Sequence, residues 1–581
     1  MKLELIGHDE KYALEQSLLT LFPGEKPVYG TVDKTADTRW ARVTLTEEDE
    51  RVQVTTELGV DGKSAAHSYD YPLSGTEYEK EGQRRHAVGI SFFGAAKDLL
   101  GISPAWGSLT GVRPSKVALS LIREGGKKRA EKELQELHAV NEKYKKCLDA
   151  GKTERECVTL AIKMAEEAGY RDVKEVLAAG KPLVCGDKVY ANYMGKALAL
   201  LRMGEKPISA GMNILGAHID SPRIDIKQNP LYENEEFAYL DTHYYGGIKK
   251  YQWVAGPMAL HGVVAKKDGT IVEIVIGEKE EDPVLVITDL LIHLAKEQLE
   301  KKASVVIEGE RLDVLVGNRP LKDVDKNEKE AVKANLLQLL KESYDIEEAD
   351  FLSAELELVP AGKARDCGLD RSMVLAYGQD DRVCAFTSLF AMLEVEHTER
   401  ASCCLLVDKE EIGSVGATGM HSRAFENTVA ELIALNEGES ELKTRRAMAN
   451  SRMLSSDVSA AYDPSFADAF EKRSAAFFAN GLSFNKFTGS GGKSGSNDAN
   501  AEYIADLRAI FDREGVAYQF AELGKVDIGG GGTIAYIMAN YGMEVIDSGV
   551  PVLSMHAPWE VTSKADVYEA KKAYVAFLKN A

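Results

Sequence analysis

The chain has 581 residues (63.5 kDa), 44% hydrophobic and 28% charged, which excludes wholesale disorder and, at ~150 residues per domain, predicts two to four domains with sizeable cores. Its formal charge of −21 repels phosphate backbones and anionic membrane surfaces, so neither nucleic acid nor membrane is expected as a partner. Seven cysteines (Cys147, Cys157, Cys185, Cys367, Cys384, Cys403 and Cys404) are odd in number and lack a CxxC pair, against both a disulfide framework and a cysteine-built zinc site. The start, MKLELIGHDEKY, carries no basic region followed by an apolar run, and stretches such as PVLVITDLLIHLA are short and broken. A soluble cytoplasmic protein is the expectation.

Residues 1 to about 75 alternate apolar and polar residues in pieces such as RVTLTEE and RVQVTTEL, the pattern of a small β-rich or mixed unit. From Lys80 to about Glu142 the spacing is helical, with ISFFGAAKDLLG and SKVALSLIREGG each closing on a Gly stop signal. The charged stretch KKRAEKELQELHAVNEKYKK reads as a connecting helix, and a boundary near residue 138 leaves residues 1–138 as an N-terminal α+β domain. In TERECVTLAIKMAEEAGY, Thr153 and Glu156 have capping-box spacing ahead of a helical pattern. Strand-like runs then alternate with helical segments, predicting an α/β domain over 139–234 and 376–581. Segment 235–375 is β-rich around a charged helical stretch and reads as an inserted subdomain. No solenoid repeat is present.

Five short apolar runs end in acidic or imidazole-bearing clusters: MNILGAHIDSPR with His218 and Asp220, MVLAYGQDDRV with Asp380 and Asp381, CCLLVDKEEIGS with Glu410 and Glu411, RMLSSDVS with Asp457, and VPVLSMHAPWE with His556. Open α/β sheets bind ligands beyond the carboxyl ends of their strands, where these clusters would converge. Two imidazoles and several carboxylates suit one or two borderline divalent cations. In H-x-D, Asp220 returns to the same strand face and can accept the other ring N–H of His218. The Glu410-Glu411 pair presents two carboxylates in different orientations, one able to bind metal while the other reaches a metal-bound water as general base.

GAHIDSPR, GQDDRV, DKEEIGS, the SSD segment and SMHAPWE, in that order from about Asn141 to Ala581, resemble the aspartyl aminopeptidase family of two-metal aminopeptidases. The resemblance implies a three-layer mixed-sheet metallopeptidase domain whose inserted subdomain mediates dimerisation and assembly into a homo-oligomer. It implies Asp380 bridging two divalent cations (zinc, with manganese or cobalt as alternatives), His218 and Asp457 completing one site, Glu411 and His556 the other, and Glu410 as general base. A metal-bound hydroxide would attack the scissile carbonyl of a peptide's first residue. The peptide bond Asp380–Asp381 is implied to be cis. An acidic first residue is recognised in better-known members by a Lys, matched here by Lys486 in FNKFTGSGGKSGSNDAN, with Lys493 a second cation; the family's Q-R-Y triplet is missing. In HYYGGIKKYQW, Lys249 or Lys250 stands where members carry a His, and SSDVSAAYDP lacks the D-M-A-H form. KLELIGHDEKYALEQSLLTLFPGEK and PAWGSLTGVRPSKV resemble the N-terminal region of radical-SAM coproporphyrinogen-oxidase-like proteins, but no CxxxCxxC occurs. No chemistry is assigned to that region.

Other features have plainer readings. Asp381 is a supporting or salt-bridging residue, and Gly529–Gly532 lacks a phosphate-loop signature and reads as a tight turn giving substrate close approach to backbone. His243, His261, His293, His397 and His421 are structural or surface residues, Cys403-Cys404 a buried pair. Two other functions share these residues: a two-metal amidohydrolase or phosphoesterase on a non-peptide substrate, and a scaffold protein with a vestigial site.

Overall fold

In the computed structural model, residues 1–11, 14, 15, 18, 22, 26–100, 114–322 and 329–581 are described, residues 78, 79 and 114–130 through their backbone only. They form two units, Met1–Glu131 and Lys132–Ala581. In the first, the alternating segments pair as a five-stranded sheet in the order Val28–Tyr29, Lys2–Ile6, Arg39–Glu48, Arg51–Val60, Lys63–Pro72. Val52, Val54 and Leu58 fall on one face and pack with Ala87, Val88, Phe92 and Ala95 of the helix Glu77–Leu100, the burial that period-2 alternation encodes. The motif PAWGSLTGVR, residues 104–113, lies outside the described residues.

The helix Pro114–Ala150 runs through Gly125 and Gly126, where a stop was expected. Two interior glycines cost ~1 kcal/mol each, less than the good helix formers on both sides supply. In the second unit Thr153 caps the helix Glu154–Glu167 with the full capping box to Glu156. A nine-stranded mixed sheet follows, with Met212–His218 between Ala401–Val407 and Arg452–Ser455, all parallel. Leu215, Ala217, Cys404, Leu406, Leu454 and Ile546 face one layer of helices, whereas Ile214, Cys403, Leu405, Met453 and Val545 face another. Both faces are buried, which explains why these strands read as continuous apolar runs and makes the domain three layers deep.

The runs before Asp380 and His556 belong elsewhere. Met373–Ala376 and Pro551–Leu553 lie in a second sheet with Arg365–Cys367, Glu560–Ser563 and Ser459–Ala460. The five clusters therefore converge from two sheets rather than from the end of one. The insertion forms a seven-stranded sheet from Ile271–Ile276 through Arg223–Asn234 and Phe237–Tyr245 to Val286–Ile287. It starts at Arg223, ahead of residue 235, because the chain passes directly from His218 through Ser221-Pro222 into the strand. Among the described residues, no helix is long and apolar enough to cross a membrane.

Candidate metal centre

His218 is the last residue of its strand, paired with Val407. Its Nδ1–H donates to Asp220, with the backbone oxygen at 2.9 Å and the carboxylate at 3.3 Å. The nearer acceptor is the carbonyl, not the carboxylate expected from H-x-D, because the carboxylate is drawn to other donors. Nε2 points at Asp380 Oδ1, 3.3 Å away. The Asp220 carboxylate instead organises a loop: Oδ1 accepts the Glu410 N–H, and Oδ2 accepts the Glu411 N–H and the Tyr245 hydroxyl.

His556 reaches the same aspartate from the other sheet. Its Nδ1–H donates to the Gly247 carbonyl at 2.7 Å, and Nε2 lies 3.1 Å from Asp380 Oδ2 and 3.5 Å from Glu411 Oε1. Each imidazole thus has Nδ1 fixed by a carbonyl and Nε2 aimed inward, the disposition of a ligating histidine. Gly246, at φ +76°, lies so close that a Cβ there would sit 3.1 Å from Glu411 Oε2. The peptide bond Asp380–Asp381 is cis.

Ligand atoms of His218, Asp380 and Asp457 lie within 4.8 Å of one another, as do those of Asp380, Glu411 and His556; Asp380 is common to both groups. Asp380 Oδ1, Asp381 Oδ1 and Glu411 Oε1 are buried without a hydrogen-bond partner. Burial, then Asp381 and Glu410, push the Asp457 carboxyl well up, and burial with Asp380 does the same to Glu411. Asp380, despite burial, is held well below the carboxylate range by the two imidazoles, and Asp380 and Glu411 raise His556 to about 10 against its burial. Electrostatics that favour a proton on Nε2 also favour a divalent cation that displaces it. Orphaned oxygens, mutually repelling carboxylates and inward Nε2 atoms fit borderline divalent metal, and the donor set contains no thiolate.

Glu410 differs from Glu411 in exposure, its side chain 16% accessible against 4%. Glu411 forms wall and Glu410 faces the opening. Burial, opposed by His218 and reinforced by Asp220 and Asp380, pushes the Glu410 carboxyl up to about 7, close to the value a general base needs near neutral pH.

Lys486 is not brought into this cluster. Its ammonium faces Asp498 at 3.7 Å, and Lys493 shares the same carboxylate at 3.0 Å. The strand Leu482–Asn485 runs antiparallel to Glu544–Gly549, itself parallel to Arg452–Ser455. The register sets Asn485 level with Asp547, Ser455 and Gly216, so at Lys486 the chain is heading along the sheet away from the His218 end. Gly530 lies where a Cβ would overlap the Gly489 carbonyl, and Gly489 N–H donates to Gly531 O, so these glycines serve a backbone-to-backbone approach. His261 is buried between Glu156 and Glu278, and His243 is exposed. All seven cysteines are free. Glu560, Tyr245 and Gly247 contact the centre without having been singled out in the sequence. Their signals were the Glu closing SMHAPWE and the paired glycines of HYYGG.

The profile of the aminopeptidase I zinc metalloprotease family (M18) matches residues 147–578. The chain is 60% identical over 450 residues to a probable M18 family aminopeptidase 1 of Clostridium acetobutylicum, covering 78% of this chain and 96% of that one. It is similar to the crystal structure of aminopeptidase I from the same organism (TM-score 0.73, 59% identity, 78% and 98% covered) and to that of an M18 aminopeptidase from Thermotoga maritima (0.74, 42%, 77% and 97%). The S. cerevisiae mApe1 dodecamer shares the fold at 22% identity (TM-score 0.60, 75% and 95% covered).

Proposed function

Because the chain belongs to the aminopeptidase I zinc metalloprotease family (M18), we propose that it releases the first residue of peptides using two divalent cations, zinc foremost. His218, Asp380 and Asp457 would hold one, and Asp380, Glu411 and His556 the other. The observation that carries this reading is the pair of donor groups meeting at Asp380 beside a largely buried but still accessible Glu410. Bound there, the cations supply Lewis acidity toward water and the scissile carbonyl.

Glu410 takes the proton of the attacking water on its carboxylate and returns it to the leaving amine. Asp220 keeps that base in place through the backbone N–H groups of Glu410 and Glu411. Asp220 and Gly247 hold the Nδ1–H of the two imidazoles, so that both rings keep one orientation through turnover. Replacing Glu410 by Gln tests the reading: activity on aminoacyl substrates falls by ~10²–10⁴ while zinc content is retained. Full activity in that variant would sink it.

A preference for acidic first residues would rest on Lys486, whose charge is shared with Asp498; we propose at most a weak preference. We further propose a cytoplasmic homo-oligomer assembled through residues 235–375. Leu290, Leu291, Ile292, Leu294 and Leu299 of that segment are exposed, an apolar run of the kind that marks an interface. The mass in solution checks it.

A further inference from the structure

Glu560 is buried, 1% exposed, at the start of the strand Glu560–Ser563, where the antiparallel register sets it opposite Ala376. Its Oε1 accepts the backbone N–H of His556 at 2.7 Å, and its Oε2 accepts the backbone N–H of Asp380 at 3.0 Å. Its own main chain is held in turn, since Gln379 Nε2 donates to the Glu560 carbonyl at 2.7 Å. Among the described residues no Lys or Arg forms an ion pair with it. A buried carboxylate without a cationic partner is costly, and it lies next to a second carboxylate, Asp380.

His556 adds a second observation. Its φ of +65° is in the left-handed region that residues with a Cβ avoid, and the Glu560 carboxylate holds the N–H of that same residue. We infer that Glu560 is a positioning residue for the cation held by Asp380, Glu411 and His556, its two oxygens fixing the two backbones from which Asp380 and His556 project. The inference rests on the two-cation reading above. Glutamine would fill the same space but accept through one oxygen only, turning its NH₂ against one of the two N–H donors.

The test is a zinc titration of chelator-treated protein against a chromophoric competitor, with a thermal melt of the metal-free form. Wild type is expected to take up two equivalents. Glu560→Gln should bind the cation of Asp380, Glu411 and His556 ~10–100-fold more weakly and the other, which shares Asp380 but not His556, by a smaller factor, with the metal-free form still melting cooperatively. Glu560→Asp, which keeps the charge but reaches one N–H, should show the same unequal loss, smaller in size. Two tight zinc ions in both variants, or equal weakening of both ions, would overturn the assignment, since a general packing defect has no reason to weaken one cation more than the other. Fewer than two ions in wild type would overturn the two-cation reading, and the role of Glu560 with it.

Discussion

His218 and His556 point at the two oxygens of one aspartate but are supported in opposite ways. His218 ends a strand buried on both faces, and its ring is held by Asp220, two residues on. His556 follows a short strand of another sheet, has a left-handed backbone, and depends on Gly247 for its ring, Trp253 for its carbonyl and Glu560 for its N–H. The first imidazole is placed by its own strand, the second by the insertion together with Glu560 of its own sheet. Substitutions at the two supports should therefore differ in kind as well as in size.

Asp220→Asn should produce the larger loss. That carboxylate accepts from the N–H groups of both Glu410 and Glu411, besides its tie to His218. Removing its charge disturbs a ligand and the base together, and kcat/KM is expected to fall by about 10²-fold or more, the upper end for residues supporting a metal ligand. Gly246→Ala should cost about tenfold, because it strains a left-handed position and crowds only Glu411. Steady-state kinetics at saturating zinc measure both, and an equal loss in the two variants would erase the distinction.

This asymmetry also accounts for what was legible in the sequence. H-x-D, the Glu-Glu pair and the strand-end rhythm are local, so His218, Asp220, Glu410 and Glu411 stand out from spacing alone. The three-layer domain is legible for the same reason, since strands such as Met212–His218 and Ala401–Val407 are apolar throughout. Tyr245 reaches Asp220 across 25 positions, Glu560 reaches Asp380 across 180 and Gly247 reaches His556 across 309, and nothing in HYYGG or APWE specifies what each will touch. The split of the site between two sheets was hidden likewise, because MVLAYG and VPVLSM look like the strands of the larger sheet. Helix continuation through Gly125-Gly126 depends on summed propensity that a stop-signal reading ignores.

The pH profile sharpens the comparison further. Glu410 must be unprotonated to act, and burial with Asp220 and Asp380 raises its pKa toward 7, while bound cations draw it down. Activity should rise with pH along an acid limb lying below about 7, tenfold per unit on its steep part. In Asp220→Asn one repelling charge is gone, so the limb moves to lower pH; in Gly246→Ala it stays where it was. A limb that moves up in Asp220→Asn would mean that Asp220 acts on Glu410 by some route other than charge.

The smallest effect is expected furthest from both imidazoles. Lys486 and Lys493 converge on Asp498, and these ammonium groups, Lys493 foremost, hold that carboxyl below its ordinary value. Exposed pairs of this kind are worth ~0–1 kcal/mol, and the strand before Lys486 runs away from the end of the sheet where His218 lies. In Lys486→Ala the ratio of kcat/KM for Glu-initiated over Leu-initiated peptides should therefore change by less than about fivefold. A change of a hundredfold would put the Lys486 ammonium against the substrate's first side chain. Asp498→Asn separates the two cases, since it unmasks Lys486 without moving it: the ratio rises several-fold only if that ammonium already faces the peptide.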